Sequence, residues 1–131
     1  MPTPRHVLPF LALATLLMST GGCAGGAAVR SAPTVIVQKG KASYYHDSLH
    51  GRPTASGALY DRDALTAAHR SLPFGTEILV RNLENGKSVR VTVNDRGPFV
   101  SARIVDLSRR AAEALDFVSQ GVVDVIVEVA E

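Results

Sequence analysis

Tryptophan is absent from this 131-residue chain, and cysteine occurs once, at Cys23. A single thiol has no partner within the chain, so no internal disulfide staples the fold and a hydrophobic core has to hold it. An excess of either charge is also lacking: 14 Lys and Arg face 12 Asp and Glu. Removing the first 22 residues takes away only Arg5, which leaves 13 cationic against 12 acidic residues. Proteins that track phosphates show a basic patch with aromatic residues to stack bases. Scattered cations without tryptophan do not make that pattern, and nucleic acid is not an expected partner. His46, Asp47 and His50 lie close together, but their spacing matches no strong zinc pattern and they read more readily as surface-loop residues. Neither a metal nor a cofactor is expected. At 46% hydrophobic and 20% charged, the composition is that of a globular protein, and the length is that of one domain.

Long apolar runs are missing too. The stretch Val7 to Met18 is preceded by Arg5 and His6 and followed by Ser19-Thr20-Gly21-Gly22-Cys23. Spanning a membrane takes about 20 apolar residues, so this shorter run with small residues behind it reads as a cleaved export signal, residues 1–22, rather than a retained helix. Thr20-Gly21-Gly22-Cys23 resembles the lipobox of bacterial lipoproteins, in which the Cys sulfur carries a lipid. Thr20 stands where that box normally has Leu, and ordinary cleavage near Gly26-Ala27-Ala28 is the alternative. Several acyl tails, at about 0.8 kcal/mol per buried methylene, make a stable anchor. Residues 23–34 are mostly Ala, Gly, Ser and Pro and form a flexible tether, so the folded domain is expected over 35–131. The expected location is the cell envelope, on its periplasmic side, with a membrane anchor through Cys23 and a monomeric domain.

Period-two alternation and β-branched content predict strands at Thr34 to Val37, Ala42 to Tyr45, Thr76 to Val80, Ser88 to Val93, Arg103 to Val105 and Val122 to Val129. Asn85-Gly86 tolerates the positive φ of a tight turn, so Ile78 to Arg81 should pair antiparallel with Ser88 to Val93. One helix is predicted from Arg109 to Leu115, with Asp106 or Ser108 accepting its first free amides. A shorter helical turn is predicted from Asp63 to Ala68, closed by Leu72-Pro73. Six short strands with one or two helical interruptions, in so few residues, predict a small closed barrel, which leaves no exposed strand edges.

Two loop clusters are dense in turn formers and in groups that do chemistry. One runs from Tyr44-Tyr45-His46-Asp47 through His50-Gly51-Arg52-Pro53-Thr54-Ala55-Ser56-Gly57 to Tyr60-Asp61, and the other is Asn94-Asp95-Arg96-Gly97-Pro98-Phe99. Gly and Pro fix loops in single conformations, and a rigid loop can hold a reacting group in place. Asp95 follows directly on a predicted strand. Its competing reading is an Asx turn that caps its own loop. Adjacent strand residues face opposite sides, so Tyr44 and Tyr45 cannot both be core, and at least one should face a groove or solvent. Tyr44, Tyr45 and Tyr60 suit stacking on sugar faces, or else barrel packing. Arg52 and Arg96 suit substrate carboxylates, or else solvent.

These motifs, together with Gly40-Lys41-Ala42-Ser43, Leu65-Thr66-Ala67-Ala68-His69-Arg70, Leu72-Pro73-Phe74-Gly75-Thr76 and Asp106-Leu107-Ser108, resemble the rare lipoprotein A family over about residues 39 to 129. The resemblance implies a mainly β fold, a six-stranded double-psi β-barrel with one or two short helices. It also implies an envelope location and a lyase, a lytic transglycosylase acting on peptidoglycan glycan strands. Asp95 would be the catalytic acid, with His69 and Asp61 in the same groove; substrate contacts would come from Tyr44, Tyr45, Arg52 and Arg96 and from Thr54, Ser56 and Asn94. For His69 a hydrogen-bonded structural role is the alternative. After Thr-Ala-Ser-Gly the family usually carries Glu, where this chain has Ala58. Related barrels in expansins bind wall polysaccharides, so a non-catalytic glycan-binding module is the competing function.

Glycoside hydrolysis uses two carboxylates, one to protonate the leaving oxygen and one to activate water or attack the sugar. A lytic transglycosylase uses the C6 hydroxyl of muramic acid in place of water, so one group can give a proton and later take one. Protonation of Asp95 would be favoured by burial or by a neighbouring carboxylate such as Asp61 and opposed by a paired Arg96. Arg96 is therefore expected to point toward substrate or a backbone carbonyl.

Overall fold

The computed structural model describes residues 35–130. The export signal expected at 1–22, the expected lipobox with Cys23, the expected tether at 23–34 and Glu131 lie outside the described residues. Six strands follow in chain order: β1 (Val35–Tyr44), β2 (Thr66–His69), β3 (Glu77–Asn82), β4 (Ser88–Asp95), β5 (Arg103–Leu107) and β6 (Val123–Ala130). One helix, α1 (Arg109–Ala114), lies between β5 and β6. The strands close into a barrel in the order β1-β5-β2-β4-β3-β6, with β1 parallel to β5 and β2 parallel to β4.

Alternation builds the core. Val123, Val125, Val127 and Val129 of β6 face inward beside Ile78 and Val80 of β3 and Val91 and Val93 of β4, and Leu115 and Phe117 after α1 complete the cluster. The predicted hairpin is present: Ile78 pairs with Val91 and Arg81 with Ser88, and Gly86 takes φ +75°. Ser108 is the cap of α1; its Oγ accepts the Ala111 N–H at 3.3 Å and donates to the Ala64 carbonyl at 2.5 Å. At the other end, the side-chain amides of Asn82 and Asn85 both donate to the Leu115 carbonyl at 2.9 Å, which is why an asparagine can be buried at position 82.

Two strand predictions are corrected. The strands predicted at Thr34 to Val37 and at Ala42 to Tyr45 are, over the described residues, one ten-residue strand, Val35–Tyr44, because β6 pairs with it without a break from Val35 opposite Ala130 to Ala42 opposite Val123. Gly40 permits this: a Cβ there would stand 2.6 Å from Ile104 Cγ2. The helical turn predicted over Asp63 to Ala68 is instead a turn followed by β2. Alanine favours a helix in isolation, but here Ala67 and Ala68 are ladder-bonded to β4 on one side and β5 on the other, and tertiary pairing overrides propensity.

Candidate active site

β4 delivers Asp95 through a bulge. Along β2 and β4, Thr66 lies opposite Thr92 and Ala67 opposite Val93; the register then slips, so that Ala68 lies opposite Asp95 and Asn94 is the extra residue. A bulge re-aims the side chain that follows it. Val93 and Ala67 belong to the core cluster, whereas Asp95 and Ala68 do not.

Three donors converge on the Asp95 carboxylate. Oδ1 accepts the backbone N–H of Ala55 and of Arg96, each at 2.8 Å, and Oδ2 accepts the Tyr45 hydroxyl at 2.5 Å. Ala55 lies in a turn closed by the Gly57 N–H on the Thr54 carbonyl at 3.0 Å, and the same turn docks on β4 through the Ser56 N–H and the Asn94 carbonyl at 3.2 Å. Asp95 thus also holds the neighbouring 54–57 turn, whereas the Asx turn of its competing reading, a bond from the Gly97 N–H, does not form. Oδ1 is committed to two backbone amides, and Oδ2 has one partner among the described residues, the Tyr45 phenol.

Asp95 lines a cleft of about 140 Å³ together with Tyr45, Tyr60, Thr54 and Arg52, and Leu49 and Pro53 add apolar surface. The Tyr45 and Tyr60 rings meet edge to face, 4.6 Å between centroids. Burial, and after it the hydrogen bond to Asp95, pushes the Tyr45 phenol pKa well up, so the phenol remains a donor. Burial also pushes the Tyr60 phenol up, although its oxygen accepts the Arg109 N–H at 3.1 Å. Thr54 Oγ1 donates to the Ala58 carbonyl at 2.6 Å and so fixes the cleft-lining turn. Arg52 is the only cation among the described residues that line the cleft.

The other expected site residues lie elsewhere. Tyr44 packs edge-on against Phe117 at 5.7 Å and donates to the Val118 carbonyl at 2.9 Å, so of the two adjacent tyrosines only Tyr45 faces the cleft. Arg96 turns away from Asp95: its guanidinium donates to the Leu72 carbonyl at 2.7 Å and lies 4.0 Å from the centre of the Phe74 ring. Asp61 is exposed, accepts the Asp63 N–H at 2.9 Å and is not among the cleft residues. Asn94 Oδ1 is buried with no partner among the described residues.

His69 lines a second cavity, with Gln38, Arg70, Ser71 and Ile104. Its Nδ1 accepts the N–H of Ser71 and of Leu72, both at 3.1 Å. The proton is therefore on Nε2, which donates to Gln38 Oε1 at 2.8 Å. Burial, followed by the charges of Arg96 and Arg70, lowers the His69 pKa. Both nitrogens are committed, and the ring acts as a brace for residues 71 and 72. His46 and His50 are loop braces as well, accepting the N–H of Ser48 and of Arg62 at 3.1 Å.

A second carboxylate, Asp106, shares a cross-strand row with Asp95 without lining the cleft. Asp106 lies opposite Ser43 on β1 and opposite Ala68 on β2, in the same cross-strand row as Asp95. Strands lie about 4.8 Å apart, so the two acids stand roughly 10 Å from each other at the backbone, with the small Ala68 between them. Asp106 accepts a hydrogen bond from the Ser43 hydroxyl, which in turn accepts from Arg103 at 2.9 Å. Only strand register reveals this row, and register was not legible in the sequence.

Residues 37–127 match a protein-family model described as lytic transglycolase. A Treponema pallidum (strain Nichols) protein named "Probable endolytic peptidoglycan transglycosylase RlpA" is 52% identical over 101 residues, covering 77% of this chain and 32% of that protein. The chain therefore spans about a third of the length of that curated relative. Among solved structures, the Streptomyces papain inhibitor aligns with a TM-score of 0.57 and 27% identity, over 72% of this chain and 93% of its own. An apo expansin of Clavibacter michiganensis aligns with a TM-score of 0.57 over 73% of this chain and 51% of its own; at 22% identity that likeness is one of fold.

Proposed function

Because the chain belongs to the lytic transglycolase family, as an RlpA-like member with a double-psi β-barrel, we propose that it cleaves peptidoglycan glycan strands and leaves 1,6-anhydromuramic ends. One observation carries this reading: among the described residues that line the cleft the one carboxylate is Asp95, with one oxygen pinned by backbone and the other beside a phenol. A hydrolase of the usual kind needs two carboxylates flanking the scissile bond. The transglycosylase route needs one.

In that route Asp95 Oδ2 gives its proton to the glycosidic oxygen as the bond from muramic C1 to that oxygen breaks. The C6 hydroxyl oxygen then bonds to C1, and its proton passes to Oδ2, which restores the acid. Tyr45 steadies the carboxylate between the two transfers through its 2.5 Å hydrogen bond. Tyr60, only 3% exposed, packs the cleft wall against Tyr45 instead of facing a sugar, and Arg52 meets a lactyl or peptide-stem carboxylate. The domain acts as a monomer in the cell envelope, exported by residues 1–22 and anchored by lipid on Cys23. Metabolic palmitate labelling tests the anchor: label on the wild type and none on Cys23→Ser is expected, and an unlabelled wild type removes the lipid from the account.

Ala58, where the family usually has Glu, favours a second reading, a glycan-binding barrel without cleavage. Incubation with peptidoglycan followed by mass spectrometry separates the two. Anhydromuropeptides from the wild type and none from Asp95→Asn support the enzyme; sedimentation with glycan and no soluble product supports the binder.

A further inference from the structure

Beyond Asp95 the chain enters a loop whose Phe99 is 81% exposed, more than any other large apolar side chain among the described residues. This loop is strapped down. Arg70, just past β2, donates to the carbonyls of Pro98 at 2.6 Å, Val100 at 2.7 Å and Arg103 at 3.0 Å. The ring of Phe99 leans on Gly97, with ring carbons 3.6 and 3.8 Å from where a Cβ on that residue would stand; Gly97 takes φ +120°, which favours glycine. One side of the ring is thus supported, and most of its surface is open to solvent. An aromatic ring ordered before a ligand arrives costs less entropy to bind against.

Phe99 is four chain steps from Asp95, a reach of at most about 14 Å. A polymer with its scissile bond at Asp95 runs on past the cleft and has further rings to place. Pro98, Val100, Ser101 and Ala102 beside the phenylalanine carry no charge, and the nearby Arg70 guanidinium is spent on the carbonyls of this loop, so the ring fits an uncharged sugar face. Resting on the glycan-cleaving reading above, we infer that Phe99 is a stacking platform for a pyranose ring of the glycan strand, at a subsite beside the cleavage point.

The absence of tryptophan supplies the test, since Phe99→Trp puts the only indole of the chain on the platform. Titration of the full-length Phe99→Trp protein with soluble glycan strands, freed of stems by an amidase, should shift its emission to the blue and saturate. Phe99→Ala should raise KM roughly ten-fold, the size of one aromatic contact, with kcat unchanged. Val37→Ala, which alters a 57% exposed residue of β1, should leave both constants alone. The platform is overturned if emission stays flat while the strands are still cut or sedimented, or if Phe99→Ala matches the wild type. It is equally overturned if emission shifts with protein concentration alone, which means a second copy covers the ring, or with anionic phospholipid vesicles, which means a membrane does. A wild type that neither binds nor cuts glycan fails at the earlier step, and the platform falls with it.

Discussion

Replacing His69 tests whether the imidazole braces the barrel or moves protons. In His69→Ala the amides of Ser71 and Leu72 lose their acceptor, Gln38 loses its donor, and a hole opens at a site only 3% exposed. Each unsatisfied buried group costs about 1–3 kcal/mol, and since Ser71 is exposed, water recovers part of this, giving a total of about 2–4 kcal/mol. For a domain of this size that lowers Tm by about 10–30 °C. His69→Asn, whose carbonyl oxygen stands close to Nδ1, should cost about 1 kcal/mol. The pH dependence has a definite sign. Folding lowers the His69 pKa below its ordinary value of about 6.5. In the interval between the two values the unfolded chain binds a proton that the folded chain does not, so this contribution is complete above about pH 6.5 and fades as pH falls toward the folded pKa. Thermal melts followed by circular dichroism from about pH 7.5 to about pH 5 should show a decline in wild-type Tm that is reduced in His69→Asn. Glycan cutting by His69→Asn should stay close to wild type, whereas losing a proton-transfer group costs about 10²–10⁴ in rate. Equal pH slopes in the two proteins, or an unperturbed melt for His69→Ala, would refute the brace.

Ala58→Glu returns a carboxylate to the loop fixed by Thr54; release of anhydro products should rise with little change in Tm, because Ala58 is exposed, and unchanged turnover would show that this position takes no part in the chemistry. Gly40→Ala should cost about 1–3 kcal/mol through the clash with Ile104, part of it recovered by adding Ile104→Ala, as read from urea midpoints. Ser108→Ala removes the cap of α1 and the donor to Ala64 together, and should cost about 1–2 kcal/mol in the same assay.

Local signals gave the parts of the fold that local chemistry decides. The Asn85-Gly86 hairpin, the inward valines of β6 and the Ser108 cap follow from turn geometry, alternation and free amides, each confined to a few residues. β2 did not show itself, because Thr66-Ala67-Ala68-His69 is a strand only by virtue of neighbours on both sides. The predicted total of six strands came out right through two compensating errors: one strand was split at the featureless Gln38-Lys39-Gly40-Lys41 and another was taken for a helical turn. In the site, Asp95 stood out by its loop and by family resemblance. The bulge at Asn94 that aims it, the Tyr45 contact and the row shared with Asp106 all depend on register between strands distant in sequence. Arg96 turned to backbone carbonyls, as expected.

On the proposed route a glycan hydroxyl, not water, takes the place of the leaving sugar at C1. Digestion of peptidoglycan by the wild-type protein in oxygen-18 water, with mass spectrometry of the soluble fragments, tests it most directly. The expected products are 1,6-anhydromuramic ends without oxygen-18, and none of these from Asp95→Asn. Reducing ends that carry oxygen-18 would contradict it.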